Sequence, residues 1–278
     1  MGGSIPRRRK KDSDDEKSVL EKRVSRGKAG KKTSKSSYRK IDIDKLVNKW
    51  YSELSSFLGL DTLGLTDEQS VKIITDILSR FYSDASSTPT LDAVFKKIKK
   101  YSSEVYSIIA YHLLTNPGSL NDQQLEFVIV NGGRAVVEYI SELYRIALKK
   151  NRIDLINYLE YVWEKYGLVS PIKCPKCGFR SIMSDYSCQV CGFVVNEDYV
   201  RRELDFENKF RIYVEEASVA ELRDVMNLGF VLITDKGVFN PRFGHKLVFE
   251  KKIYFQIYLR SSDYVLINRE LSSRELDI

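Results

Sequence analysis

The sequence predicts a multidomain α+β protein with an N-terminal helical bundle, a central four-cysteine segment and a small C-terminal α+β domain with an antiparallel sheet. Three observations support this class. Apolar residues recur at helical spacing through residues 38–167, all four cysteines of the chain fall within residues 168–198, and strand and turn signals dominate residues 199–278. With 278 residues, the chain is long enough for two modest domains and additional segments.

The first 37 residues differ in composition from the rest of the chain, because they are rich in Lys, Arg, Ser and Gly and nearly free of large apolar side chains. Such a segment buries too little apolar surface to offset the entropy of ordering, so we expect a disordered basic tail over residues 1–37. Residues 1–40 carry 15 Lys and Arg against 5 Asp and Glu, a net charge of +10, and the remaining 238 residues carry 30 against 33, a net charge of −3. The overall charge of +7 is therefore a property of the tail.

Helix signals follow one another from residue 38 to residue 167. Asp42 or Asp44 can cap a first helix that ends near Gly59, and residues 66–69 (Thr-Asp-Glu-Gln) have the form of a capping box. Apolar stripes at a spacing of 3.6 residues predict the later helices. Their boundaries are marked by Thr88-Pro89, Asn116-Pro117-Gly118, residues 121–124 and Gly167. Five or six helices with short connections indicate a compact bundle.

Residues 127–134 (Phe-Val-Ile-Val-Asn-Gly-Gly-Arg) are the one stretch of this region that could be taken for a phosphate-binding loop after a strand. They lack both the G-x-G-x-x-G pattern and the G-K-[ST] ending that such loops use. We therefore expect a kinked helix or a tight turn here.

The four cysteines form two C-x-x-C pairs, Cys174-Pro-Lys-Cys177 and Cys188-Gln-Val-Cys191, separated by ten residues. A C-x-x-C turn lets two thiolates approach one ion, and two such pairs supply the four ligands of a tetrahedral site. Because all four ligands are cysteines and no position stays open, the predicted site is structural rather than catalytic. Two local disulfides are the alternative that does not involve a metal.

Each pair is followed by Gly-Phe, so both halves read Cys-x-x-Cys-Gly-Phe. Two such knuckles joined by a short hairpin resemble the zinc-ribbon superfamily, also called rubredoxin-like, over residues 172–195 only. The resemblance implies that Cys174, Cys177, Cys188 and Cys191 hold one structural Zn²⁺, with iron as the alternative metal. Members of the superfamily often contact nucleic acid or lie within transcription, replication or translation assemblies. The other interpretation is that the ribbon only joins two domains.

In the C-terminal region the period of the pattern changes. Residues 210–214 alternate between apolar and polar, which predicts a strand, and residues 218–221 form a capping box before a helix that ends at Gly229. Residues 230–239 then have the pattern of a β-hairpin, and a long strand over residues 253–259 is followed by a last strand over residues 264–268. The predicted order is β-α-β-β-β-β.

One face of the long predicted strand carries Tyr254, Gln256, Tyr258 and Arg260, and Arg211 and Tyr213 can share it. Aromatic side chains that alternate with arginine on an open sheet can stack nucleic-acid bases. Tyrosine is also common in ordinary strands, so a purely structural role is the alternative.

The composition also limits the class of protein. No apolar run approaches the ~20 residues of a membrane helix, and the first residues lack the apolar stretch of a secretory signal, so we expect an intracellular protein without membrane contact. Charged residues reach 30%, a bias typical of heat-adapted proteins. His112 and His245 are the only histidines, for which we expect buried or capping roles, and no Ser-His-Asp, H-E-x-x-H or EF-hand pattern is present.

The sequence therefore predicts a non-enzymatic zinc-ribbon protein that binds nucleic acid or a nucleoprotein complex through its basic tail and its ribbon, with no small-molecule substrate evident. Such contacts would reach phosphates through Lys and Arg side chains. The proposed contact residues are Arg7, Arg8, Arg9, Lys10, Lys11, Lys173, Lys176 and Arg180. A protein–protein adaptor with a purely structural zinc site is the alternative, and a metal-dependent nuclease with carboxylates from separate segments is a third.

Overall fold

Twelve α-helices and one three-stranded sheet are present in residues 41–246 and 253–276, which are the residues described by the computed structural model. The helices before the cysteines are α1 (Ile43–Leu58), α2 (Asp67–Tyr82), α3 (Leu91–Lys100), α4 (Ser102–Leu114), α5 (Asp122–Asn131), α6 (Arg134–Glu138), α7 (Ile140–Lys149) and α8 (Ile153–Tyr166). Those after them are α9 (Glu197–Glu203), α10 (Phe206–Glu216), α11 (Val219–Leu228) and α12 (Ser261–Leu276). The predicted tail, residues 1–37, lies outside the described residues.

Four helices start at the caps that the sequence predicts. Asp42 accepts a hydrogen bond from the backbone N–H of Lys45, and α1 ends at Gly59 in the left-handed conformation. Complete capping boxes begin α2 at Thr66, α5 at Asn121 and α11 at Ser218. The predicted helical region and its local caps are confirmed.

The bundle has eight helices instead of the five or six predicted, because two apolar stripes are interrupted within their length. Tyr101 separates α3 from α4 and Tyr139 separates α6 from α7, each with φ near −110° and a ψ that is not helical. The expectation of a tight turn at residues 127–134 is confirmed, since α5 ends at Gly132 and Gly133 has a φ of 53°.

The predicted strand over residues 210–214 is wrong, because this stretch belongs to α10. Phe206, Phe210 and Val214 are buried, whereas Ile212 is exposed. Residues four apart share a helix face, so Phe210 and Val214 fit a helix as well as a strand, and the buried Phe206 selects the helix.

The sheet consists of β1 (Phe230–Thr234), β2 (Gly237–Phe239) and β3 (Phe255–Tyr258), all antiparallel in the order β2-β1-β3. The β1–β2 hairpin and the strand within residues 253–259 confirm the sequence prediction. Leu232 pairs with Phe239 and Ile233 with Phe255.

The predicted last strand over residues 264–268 is wrong as well, since these residues lie in α12. Asp263 and Ile267, four residues apart, are buried, and Val265 between them is exposed. The Asp263 carboxylate accepts from the backbone N–H of Arg260 at the start of this helix. The C-terminal order is therefore α-α-α-β-β-β-α within the described residues.

The buried apolar side chains of the helices, the cysteine segment and the sheet form one continuous cluster in the described part of the chain, which includes Trp163, Phe179 and Phe255. The division into separate domains at residues 167 and 198 stays a prediction. Among the described residues, no helix combines the length and the apolar content that crossing a bilayer requires.

Candidate metal centre

The four cysteine thiols converge on one point. The four Sγ atoms all lie within 4.8 Å of one another, with 3.6 Å between Cys174 and Cys191 and 3.6 Å between Cys177 and Cys188. None of the four is in a disulfide. A tetrahedral ion with bonds of about 2.3 Å holds its four sulfurs about 3.8 Å apart. The arrangement therefore fits one metal ion bound by four thiolates.

Two copies of the same backbone turn bring the sulfurs together. The N–H of Cys174 donates to the carbonyl of Phe179, and the N–H of Gly178 donates back to the carbonyl of Cys174. In the second copy, Cys188 donates to Phe193 and Gly192 donates to Cys188, with all four distances between 2.8 and 2.9 Å. We refer to residues 174–179 as the first knuckle and to residues 188–193 as the second knuckle.

The glycine in each knuckle has a backbone conformation that other residues rarely adopt. Gly178 has a φ of 84° and Gly192 a φ of 72°, and a Cβ atom at either position would meet no atom within 4 Å. The requirement is therefore for the left-handed backbone and not for space. This is the physical reason for the Cys-Gly step in both halves of the motif.

Hydrogen-bond donors surround the Cys188 sulfur. The pKa of this thiol is lowered, and the largest cause is the hydrogen bond from Cys177. The Ser181 hydroxyl at 3.1 Å and the backbone N–H of Cys191 at 3.4 Å lower it further. Burial of the thiol acts in the opposite direction. Burial raises the pKa of Cys191 instead. The Ser181 hydroxyl and the Cys191 N–H can stabilise Cys188 as the thiolate, which is the form that binds metal, whereas the hydrogen bond from Cys177 is lost when that thiol also binds the ion.

The first knuckle packs on the helical region. Phe179 is 1% exposed, and its ring meets the ring of Tyr144 on α7 edge to face, with 5.7 Å between centroids. The indole N–H of Trp163 on α8 donates to the carbonyl of Arg180 at 2.9 Å. The backbone N–H of Ser170 donates to the same carbonyl. These contacts fix the knuckle against α7 and α8.

Two tyrosines connect the cysteine segment to the C-terminal elements. The hydroxyl of Tyr199 on α9 donates to the carbonyl of Lys173 at 2.9 Å. Tyr186, in the hairpin between the knuckles, donates to the carbonyl of Gln256 on β3 and stacks parallel to Phe255. The segment therefore contacts both the helices before it and the sheet after it.

The predicted nucleic-acid contacts are placed as follows. Lys173 and Lys176 are exposed at the first knuckle, whereas Arg180 is half-buried and its Nε donates to the carbonyl of Ser170. Arg7, Arg8, Arg9, Lys10 and Lys11 lie outside the described residues. The structure therefore presents two lysines of the predicted set to solvent, and Arg180 has a contact within the protein.

The predicted aromatic face of β3 is present, with Tyr254, Gln256 and Tyr258 exposed. Arg211 and Tyr213 do not share it, because they lie on α10. Arg260 is exposed but forms ion pairs with Glu197 and Asp198 at 3.4 and 2.6 Å. The four residues predicted from the strand itself are therefore exposed, and only the addition of Arg211 and Tyr213 to their face is wrong.

Sequence reasoning missed a buried ion-pair network. Arg201 on α9 is 4% exposed and donates to both carboxylate oxygens of Asp263, itself 2% exposed, at 2.9 Å. Its guanidinium also pairs with Glu207 and lies 3.9 Å from the centroid of the Phe206 ring. Arg201 borders a cavity of about 330 Å³. No local pattern signals this pair, since its members are 62 residues apart.

The two histidines were expected to be buried or to cap helices. His112 is half-buried, and its Nε2 lies 3.2 Å from a carboxylate oxygen of Asp76 on α2, so it contacts a neighbouring helix instead. The side chain of His245 lies outside the described part of the structure. Within the described ranges, the four cysteines are the only group of three or more His, Cys, Asp or Glu side chains close enough to share an ion.

Comparisons of the chain with protein-family models, with curated proteins and with solved structures found no match.

Proposed function

We propose that this is a non-enzymatic zinc-ribbon protein that binds nucleic acid, or a nucleoprotein complex of the transcription, replication or translation machinery, through its basic tail and the first knuckle. The observation that carries the proposal is the convergence of four thiols on one point, two of them buried, beside two exposed lysines. Four thiolate ligands leave no open position for a substrate, so the ion would act in folding.

Zinc is the proposed metal because tetrahedral thiolate sites suit this ion, with iron as the alternative. Structural zinc contributes roughly 10–16 kcal/mol to the folding of small zinc domains. In the cysteine segment, regular structure is limited to two isolated β-bridges, Ile182–Cys188 and Ser187–Val194. An ion bound by the four cysteines would link the two knuckles and add to the stability that the backbone hydrogen bonds and buried side chains of the segment supply.

Charge supports nucleic acid as the partner. Residues 1–40 have a net charge of +10, which suits the release of counterions from a phosphate backbone. Lys173 and Lys176 have no carboxylate within 4.0 Å among the described residues, so their ammonium groups are available for phosphates. Binding of this kind depends strongly on salt and little on base sequence.

The test measures the metal content of the purified chain and its affinity for a fluorescent single-stranded oligonucleotide between 50 and 200 mM salt. We expect one zinc per chain, and a large loss of affinity when residues 1–37 are deleted and Lys173→Gln and Lys176→Gln are added. The control for Lys173→Gln with Lys176→Gln is a variant with Lys149→Gln and Lys236→Gln, which removes the same charge at two exposed lysines elsewhere. Unchanged affinity in the combined variant would contradict the assignment of contacts.

The second candidate, a protein–protein adaptor, is favoured by an exposed aromatic strip across α4, α5 and α8. Its rings are in contact in pairs: Tyr106 with Phe127 at 5.9 Å, and Tyr158 with Tyr161 at 5.7 Å. Tyr106, Tyr161 and Val130 are exposed, whereas Phe127 and Tyr158 are half-buried. Exposed apolar patches often mark protein interfaces. Partners that remain bound to the tagged chain after nuclease treatment, and are released by Tyr161→Ser, would favour this function.

A further inference from the structure

A second basic surface, formed by described residues outside the cysteine segment, lies along α3 and the end of α1. It consists of three lysines and three aromatic side chains, which we call the α3 surface: Phe57, Phe95, Lys96, Lys99, Lys100 and Tyr101. None of these six residues belongs to the ribbon.

Charge is concentrated on this helix. The ten residues of α3 include four lysines and one aspartate, a net charge of +3, whereas residues 41–278 as a whole have a net charge of −3. Lys97 has an internal role, because its ammonium donates to the carbonyl of Phe81 at 2.7 Å and lies over two aromatic rings. Lys96, Lys99 and Lys100 are exposed, and no carboxylate of the described residues lies within 4.0 Å of them.

Aromatic rings lie among these lysines. The rings of Phe57 and Phe95 stack with 4.3 Å between centroids, and the ammonium of Lys99 is 5.7 Å from the Phe57 ring. Lys100 lies 5.2 Å from the ring of Tyr101. Phe57 and Tyr101 are 37% and 38% exposed. Phosphate-binding cations next to exposed rings are the two components of sites for single-stranded nucleic acid.

Neither the helix dipole nor a membrane contact accounts for the whole of this surface. Lysines in the last turn of a helix interact favourably with its dipole, but the dipole does not account for the partly exposed rings that lie beside them. A helix that lies on a membrane inserts a whole face of aliphatic and aromatic side chains into it. On α3 the aliphatic residues Val94 and Ile98 are buried in the core.

We propose that the α3 surface is a binding site for single-stranded nucleic acid, in which Lys96, Lys99 and Lys100 contact phosphates and the rings of Phe57 and Tyr101 stack on bases. The site rests on the proposed function for the class of partner, and it adds a structured contact that is independent of the tail and the ribbon. Three phosphate contacts on a single strand contribute about 2 to the slope of log affinity against log salt, at roughly 0.7 for each contact.

The experiment uses the full chain and a fluorescent single-stranded oligonucleotide, titrated between 50 and 200 mM salt. The variant Lys96→Gln/Lys99→Gln/Lys100→Gln is compared with Lys149→Gln/Lys165→Gln/Lys236→Gln, which removes the same charge at exposed positions elsewhere in the described residues. We expect the α3 variant to lower the salt slope by about 2 and the affinity at 50 mM salt by at least tenfold. Equal effects of the two triple variants would overturn the proposal.

A second variant tests stacking. Phe57→Leu keeps an apolar side chain against Phe95 but removes the exposed ring, so oligonucleotide affinity should fall about fivefold or more, while affinity for heparin, which has no bases, stays unchanged. A loss of heparin affinity equal to the loss of oligonucleotide affinity would overturn the stacking role. Thermal melting of each variant verifies that it is folded. If the α3 variant loses binding to anionic vesicles while its oligonucleotide affinity is kept, the site is a membrane contact and the proposal fails.

The two proposals fail in different ways. If deletion of the tail with the ribbon substitutions removes binding and the α3 variant binds as wild type, the α3 surface is not a site and the proposed function stands. If the α3 variant removes binding and the tail and ribbon changes do not, the α3 surface stands and the proposed contacts of the tail and the ribbon are wrong.

Discussion

The two knuckles have the same local pattern and different surroundings. Both read Cys-x-x-Cys-Gly-Phe, with the same pair of backbone hydrogen bonds and a left-handed glycine. However, Phe179 of the first knuckle is 1% exposed and packs on Tyr144, whereas Phe193 of the second knuckle is 39% exposed. The backbone geometry that holds the sulfurs is therefore local, whereas the burial of the phenylalanine side chain depends on what packs against each knuckle.

This difference separates two sources of stability. The sulfur ligands should matter equally in both knuckles, because one ion needs all four of them. The phenylalanines should matter unequally, because only Phe179 is in the apolar core. Matched substitutions at corresponding positions of the two knuckles can therefore measure the metal and the packing separately.

The largest effect is expected from removing a ligand. Cys174→Ser and Cys188→Ser should each reduce bound metal from one ion per chain to well below one, and lower the melting temperature by a similar amount, since the ion stabilises both knuckles together. Elemental analysis and thermal unfolding measure the two quantities. Ser184→Ala, at an exposed position of the hairpin between the knuckles, is the control.

Full metal content in either cysteine variant would show that the four sulfurs do not act as one site. A chelator should reproduce the loss of stability in the wild-type chain and should have little effect on the cysteine variants. A wild-type melting temperature that does not respond to metal removal would contradict a structural role for the ion.

The next effect is expected to be unequal. Phe179→Ala should destabilise the protein by about 3–5 kcal/mol, because it leaves a cavity against Tyr144, whereas Phe193→Ala should change stability by less than about 1 kcal/mol. Denaturant unfolding of the metal-loaded chain measures both. Phe179→Leu, which fills part of the cavity, should fall between them. Equal losses at the two positions would mean that Phe193 also packs against something, such as a partner.

Local signals in the sequence predicted much of this structure. The caps at Asp42, Thr66, Asn121 and Ser218 and the β1–β2 hairpin are set by contacts within a few residues, so their patterns could be recognised. The four cysteines were found for the same reason. Each of these elements carries its own information in a short window of sequence.

Long-range packing decided the elements that were predicted wrongly. The alternation at Phe210, Ile212 and Val214 is compatible with a strand until Phe206 is known to be buried on the same side. The strand predicted over residues 264–268 is a helix whose Asp263 pairs with Arg201, 62 residues away. The unequal exposure of Phe179 and Phe193 has the same origin, because both follow the same Cys-x-x-Cys-Gly pattern and that pattern does not say which ring meets Tyr144.

The smallest effect is expected at the glycines. Gly178→Ala and Gly192→Ala should each destabilise the protein by about 1–2 kcal/mol, because an L residue is strained at a φ of 84° or 72° although no neighbouring atom blocks its Cβ. Gly237→Ala, at a glycine without a positive φ and with ordinary contacts, is the control and should change stability little. The same denaturant unfolding used for the phenylalanines measures all three. If Gly178→Ala lowers stability much more than Gly192→Ala does, packing on the helices must also constrain the backbone of the first knuckle. The first turn would then depend on the rest of the fold, and the two knuckles would not be equivalent local structures.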